Sequence, residues 1–176
     1  AKAQQHSMRC LVPLSRAAIN TPETANFIAT QLAASEISGE GLYLMFAEDV
    51  STHHTSQLIE FSRRIRELGC QIALSEFGGA ISSFAQLRTL APSHVCLSQS
   101  LTRDIGDGMT STALLRAILE ITSEQHIYPI AEDVDDTLLL EHLRKLGIAY
   151  AYGKAIGPRE PFDAWFEGVV MRGSKR

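Results

Sequence analysis

The chain has 176 residues, 45% of them hydrophobic and 20% charged, with a formal net charge of −4. That is one ordinary globular domain by length and composition, large enough to bury a core without disulfides or structural metal. The negative balance argues against a surface that coats nucleic acid, although a small anionic nucleotide can still bind locally, and no apolar run approaches the roughly 20 residues of a membrane span.

In chain order, a strand over residues 9–14 leads to a helix over 22–35, and a strand over 42–47 to a helix over 54–68. Strand 71–75 precedes helix 81–90, strand 94–97 precedes helix 111–125, and strand 127–131 precedes helix 137–146. A strand over 148–152 and a helix near 163–171 complete the series. Several of the strands are nearly continuous in apolar residues, as strands buried on both faces are. Thr21, Pro22 and Glu23 make a helix start, since proline tolerates the first helical position and the carboxylate faces the positive end of the helix dipole. Gly69 and Gly147 each stand just past a helical pattern, where a residue of positive φ closes a helix. Phe162, Trp165, Phe166, Val169 and Val170 form one apolar stripe that reads as core packing. Residues 1–7 and 173–176 are polar and expected to fray. No low-complexity linker interrupts residues 1–176, so a single domain is expected. Cys10, Cys70 and Cys96 are widely spaced and lie in or beside apolar strands, which fits reduced core thiols in a cytoplasmic protein better than a disulfide framework or a zinc site.

Strand and helix alternation implies right-handed crossovers and a parallel sheet. Six such units do not close a (β/α)8 barrel, and the pattern alone also allows an open doubly wound sheet. Chemistry in such folds sits at the carboxyl ends of the strands. There the chain carries Ser75-Glu76 running into a Phe77-Gly78-Gly79 turn just before a helix. A glycine turn at a helix N-terminus can present backbone N–H groups to phosphate.

Residues 74–83 resemble the Leu-Asp-Asp-Phe-Gly-x-Gly-x-Ser-Ser segment of EAL domains, the bacterial phosphodiesterases that hydrolyse cyclic di-GMP. The resemblance implies a (β/α)8 TIM-barrel-like EAL fold, here lacking the first two strands, with the six remaining strand-end motifs in order. It also implies a two-metal site, which needs several carboxylates converging on ions about 3.5–4 Å apart. Pro13 falls on the family's asparagine ligand and has no side-chain oxygen to offer; it reads equally as the mark of a strand kink or edge position. Met45 falls on the ligand glutamate, and a thioether is a poor ligand for Mg²⁺. Glu48 matches the second glutamate of that motif. Ser75 and Glu76 replace the two aspartates, Cys96 the catalytic lysine, and Ser98 a further aspartate.

The best match is Ile130-Ala131-Glu132-Asp133-Val134-Asp135 against Ile-Ala-Glu-Gly-Val-Glu. Glu132 keeps the general-base position, and Asp135 shortens the second glutamate. Asp133, Asp135 and Asp136 also precede a helix and are expected to cap it. The last strand end, Tyr152-Gly153-Lys154-Ala155-Ile156-Gly157-Pro158-Arg159, resembles Gln-Gly-Tyr-x-Ile-x-x-Pro, with Tyr152 in place of the glutamine. Lys154 and Arg159 are the only basic residues near a predicted strand end.

The resemblance therefore implies a degenerate EAL domain of the FimX type, with no metal ligand set, no cofactor and no catalysis. Glu132, Glu48 and Asp135 are then vestiges of the catalytic site. Cyclic di-GMP is the expected ligand, met by Ser75, Glu76, Phe77, Gly78, Gly79, Glu132, Tyr152, Gly153, Lys154 and Arg159. The alternatives are a scaffold that binds no nucleotide and an active metal-dependent phosphodiesterase. By analogy within the family, a signalling protein of PilZ type is an expected partner. Self-association is expected from open sheet edges.

Overall fold

Residues 9–47, 55–79, 83–103, 105 and 109–161 are described by a computed structural model of the chain. Six strands, β1 (Cys10–Pro13), β2 (Leu42–Ala47), β3 (Gln71–Phe77), β4 (His94–Leu97), β5 (Tyr128–Ala131) and β6 (Tyr150–Ala151), form one sheet. Every neighbouring pair is parallel, and the spatial order is the sequence order. A doubly wound sheet reverses its order partway, so this winding is that of a barrel wall. Between the strands lie α1 (Arg16–Asn20), α2 (Glu23–Ala34), α3 (Thr55–Glu67), α4 (Ser83–Leu90), α5 (Gln99–Thr102), α6 (Met109–Glu124) and α7 (Thr137–Lys145).

The sheet curls. Strands two apart in a flat sheet are separated by about 9.5 Å. Yet the rings of Tyr43 on β2 and His94 on β4 meet with centroids 4.8 Å apart, and Cys96 Sγ lies 3.5 Å from Met45 Sδ. Both contacts pass over Ala73 of β3, whose single methyl leaves room for them. Side chains converging over a small central residue define the concave face of a half-barrel.

The opposite face carries the main core. Leu44, Phe46, Ile72, Leu74, Val95 and Leu97 point away from the concave side and cluster with Leu58, Ile65, Leu87, Leu115 and Ile118 of the helices, all at most 2% exposed. Burial of such side chains, each contributing roughly 1.5–3 kcal/mol, is what holds the helices on the sheet.

The glycine stops are present as expected. Gly69 has φ 80°, its N–H donates to Arg66 O at 2.9 Å, and Cys70 N–H donates to Ile65 O at 3.2 Å. Gly147, with φ 86°, repeats this paired closure after α7. Pro22 takes the right-handed helical conformation before α2. The elements that sequence periodicity missed are α1, α5 and a 3₁₀ turn at Gly39–Gly41, each too short to show a period. Pro13 lies on β1, at one end of the sheet, where its missing N–H costs no ladder bond. Glu48, the helix expected near 163–171 and the polar ends 1–7 and 173–176 fall outside the described residues. No helix among the described residues is long and apolar enough to cross a membrane.

Candidate functional site

All six strands run the same way, so their carboxyl ends bring the sequence-predicted positions to one rim. At the end of β3 the pairing slips. Leu74 faces Val95 and Phe77 faces Leu97, three steps against two, and Glu76 takes up the extra residue at φ 59°. Such a bulge re-aims the strand's last side chains. It turns Glu76 out to solvent, leaves Ser75 half-buried, and drives Phe77 into the core against Phe84, with ring centroids 5.8 Å apart. Gly78, at φ 84°, passes so close to the helices that an added Cβ would lie 2.4 Å from Leu101 Cδ1 and 2.8 Å from Ile118 Cδ1. In the turn, Gly79 N–H donates to Glu76 O at 3.2 Å, so this amide is already engaged.

The concave centre is occupied by a continuous chain of side chains. Tyr152 Oη donates to Glu132 Oε1 at 2.6 Å, and the Cys96 thiol donates to Met45 Sδ at 3.5 Å while Glu132 acts on it electrostatically. Burial pushes the Glu132 carboxyl up, its hydrogen bond from Tyr152 and the neighbouring Cys96 thiol pull it part of the way back, and the nearby Glu76 and Asp133 charges raise it further. The Cys96 thiol is pushed far up by burial first and by Glu132 second. It is therefore an inert thiol rather than a nucleophile. Tyr152 is raised for the same two reasons and stays a hydrogen-bond donor.

Beside this centre, the loops after β5 and β6 are laced together. Val134 N–H donates to Tyr152 O at 3.0 Å and Ala155 N–H to Val134 O at 2.9 Å. A Cβ on Gly153, whose φ is 143°, would sit 2.3 Å from Val134 N, so only glycine allows the two backbones to close. The three aspartates expected to cap α7 divide their work. Asp136 alone caps, its Oδ1 accepting from Leu138 N–H at 3.1 Å. Asp135 accepts from Lys154 N–H at 3.1 Å and pairs with Lys154 Nζ at 2.7 Å, which holds its carboxyl below the usual range. Asp133 accepts from Gln99 Nε2 and lies 3.6 Å from Arg159 Nη2.

These loops wall an open groove of about 1210 Å³ that contains Tyr152, Gly153, Lys154 and Arg159 together with Gln99 and Arg103. Arg103 corrects the expectation that Lys154 and Arg159 are the only cations at the strand ends. It follows a helix too short for the sequence pattern to reveal, and its signal is only its position just after the Ser98 cap. Glu132 lies beneath the groove through its bond to Tyr152, whereas Ser75, Glu76, Phe77, Gly78 and Gly79 do not line it.

The donor set does not fit a pair of hard divalent cations. Met45 and Cys96 offer sulfur, Glu76 points outward, and Glu132 is engaged by a phenol. Among the described residues, no three His, Cys, Asp or Glu side chains are grouped to hold a metal ion.

Residues 1–159 match the EAL domain family. The cyclic di-GMP phosphodiesterase PdeB of Shewanella oneidensis is 24% identical over 165 residues, covering 94% of this chain and 19% of that protein. The cyclic di-GMP phosphodiesterase PdeF of Escherichia coli is 27% identical over 160 residues, with 87% of this chain and 21% of that protein covered. Among solved structures, the FimX EAL domain of Xanthomonas citri in complex with c-diGMP superposes with a TM-score of 0.84 at 25% identity, over 90% of this chain and 62% of that one. The chain thus spans about a fifth of these curated relatives, 19% and 21%, and less than two thirds of the solved domain.

Proposed function

The chain belongs to the EAL domain family, and from that premise we propose that it serves cyclic di-GMP signalling as a receptor that binds the nucleotide without hydrolysing it. The observation that carries this reading is the commitment of Glu132. Hydrolysis of a phosphodiester by this family's chemistry requires metals that hold a water and neutralise the phosphate, and a free carboxylate to take the water's proton. Here the carboxylate at the general-base position accepts from Tyr152, and the sulfurs of Met45 and Cys96 stand where a hard cation needs oxygen. A carboxylate so held, beside a donor set that does not fit hard cations, contributes little to catalysis.

Binding needs less. The groove offers the guanidinium groups of Arg103 and Arg159, the Lys154 ammonium and the partly exposed ring of Tyr152, which together can meet phosphates and a base. A scaffold that binds no nucleotide is favoured by one observation, that Lys154 and Arg159 already face Asp135 and Asp133.

Calorimetric titration with cyclic di-GMP, in Mg²⁺ and again in excess chelator, separates these readings when the mixture is then analysed by chromatography. We expect binding that the chelator leaves unchanged and no linear dinucleotide above a protein-free control. Metal-dependent product that disappears in Glu132→Gln would refute the reading in favour of an enzyme, and the absence of any binding would refute it in favour of a scaffold.

A further inference from the structure

Among the described residues, the Asp133 side chain differs from its neighbours in the β5 loop in bonding no backbone group. Asp136 caps α7 and Asp135 ties down the Lys154 backbone, whereas among the described residues the side chain of Asp133 contacts Gln99 and Arg159, two side chains that face the groove. It does so from a left-handed backbone conformation, φ 49°, which glycine adopts freely and aspartate only at a cost. The family motif quoted above has glycine at this position. The aspartate therefore brings a carboxylate to the groove at the expense of local strain.

Its two oxygens serve separate donors. Oδ2 accepts from Gln99 Nε2, and Oδ1 lies 3.6 Å from Arg159 Nη2. A phosphate presents two non-bridging oxygens in the same manner, so the carboxylate occupies the position in which an amide and a guanidinium would otherwise receive an anionic ligand. It also sets the charge of the groove, whose lining has Asp133, Asp135, Asp136 and Glu160 against Arg103, Lys154 and Arg159. Removing one carboxylate changes that balance from net negative to neutral.

We propose that Asp133 is a specificity-determining residue that occupies the phosphate position between Gln99 and Arg159, so that a phosphate-bearing ligand binds only by displacing its carboxylate. This rests on the nucleotide-binding reading for its ligand, though not for its geometry. The consequence is a receptor set to weak affinity, since the phosphate that enters there must overcome both an existing ion pair and a like charge.

The test uses Asp133→Asn, which tolerates the left-handed backbone and keeps an oxygen for Gln99 while losing the charge, and Asp133→Gly, which loses both the charge and the strain. Each is titrated with inorganic pyrophosphate and with cyclic di-GMP at low salt, and folding is checked by thermal unfolding. Both variants are expected to bind pyrophosphate about tenfold more tightly than the unaltered chain, the combined size of one exposed ion pair and one near like-charge contact. The gain is expected to vanish when Arg159→Ala is added to Asp133→Asn. Equal pyrophosphate affinity in all proteins, no binding by any of them, or a gain that survives Arg159→Ala would overturn the proposal. A pyrophosphate gain with no cyclic di-GMP binding in any protein would support the role of Asp133 while refuting the nucleotide reading. Cyclic di-GMP bound equally by all three would do the reverse.

Discussion

Tyr152→Phe removes one oxygen and, with it, the strongest hydrogen bond to the carboxylate at the centre of the concave face. The bond is 2.6 Å long and ends on a Glu132 side chain that is almost fully buried. A hydrogen bond to a charged group contributes about 1.5–3 kcal/mol, so at pH 8 we expect a loss of about 2 kcal/mol, or about 4–8 °C in melting temperature for a domain of this size. The pH dependence identifies the cause. The folded-state pKa of Glu132 lies above the ordinary 4.5, so the folded protein holds this proton more tightly than the unfolded chain does. Its contribution to stability is therefore complete below 4.5 and is lost as pH rises through the raised value. Losing the phenol raises that value further, because the hydrogen bond favours the ionised form. The penalty of the substitution should be larger at pH 8 than at pH 5, because the raised value brings the carboxyl nearer neutrality at the lower pH, and only a neutral hydrogen bond of about 1 kcal/mol is lost once it is protonated. Urea unfolding at both pH values measures this. An equal loss at pH 5 and pH 8, or no loss at either, would refute the account of the Tyr152–Glu132 bond.

Gly153→Ala forces a Cβ to within 2.3 Å of Val134 N and 2.5 Å of Val134 O, and neither backbone atom can move without opening the β5–β6 loop contact. Thermal unfolding should register a loss of about 3 kcal/mol, and a change below about 1 kcal/mol would contradict the close approach. Thiol labelling under native conditions should modify Cys10, which is partly exposed, well before the buried Cys70 and Cys96, whose thiols burial pushes up; labelling of Cys96 as fast as Cys10 would show that the concave centre opens readily. The strands β1 and β6 end the sheet and pair with no further strand among the described residues, so the chain should self-associate through these edges at micromolar concentration. Sedimentation showing a single monomeric species would count against that expectation.

The alternation of apolar runs with amphipathic stretches determined six strands, their parallel direction and most of the helices, because both periods are local and are written in consecutive residues. The glycine stops at Gly69 and Gly147 were legible for the same reason, a left-handed residue one step past a helix. The identity of the strand-end residues was legible too, as Pro13, Met45, Ser75, Glu76, Cys96, Ser98, Glu132 and Tyr152 stand in motif order. Their relations were not. Nothing in residues 71–77 announces that Glu76 absorbs a bulge and turns outward while Ser75 stays half-buried, since register is decided by the pairing of β3 with β4. The division of labour among Asp133, Asp135 and Asp136 was equally hidden: a sequence sees three acids before a helix, and only the packing of the β6 loop against Val134 brings Lys154 and Arg159 within reach of the first two. The barrel winding was implied by the family resemblance, whereas the period alone also allowed a doubly wound sheet; that spatial order follows chain order and that side chains from β2 and β4 meet over Ala73 only the curvature of the whole sheet shows. Residue type and period are properties of a segment, whereas contact, burial and the charge state of Glu132 belong to atoms that distant segments bring together.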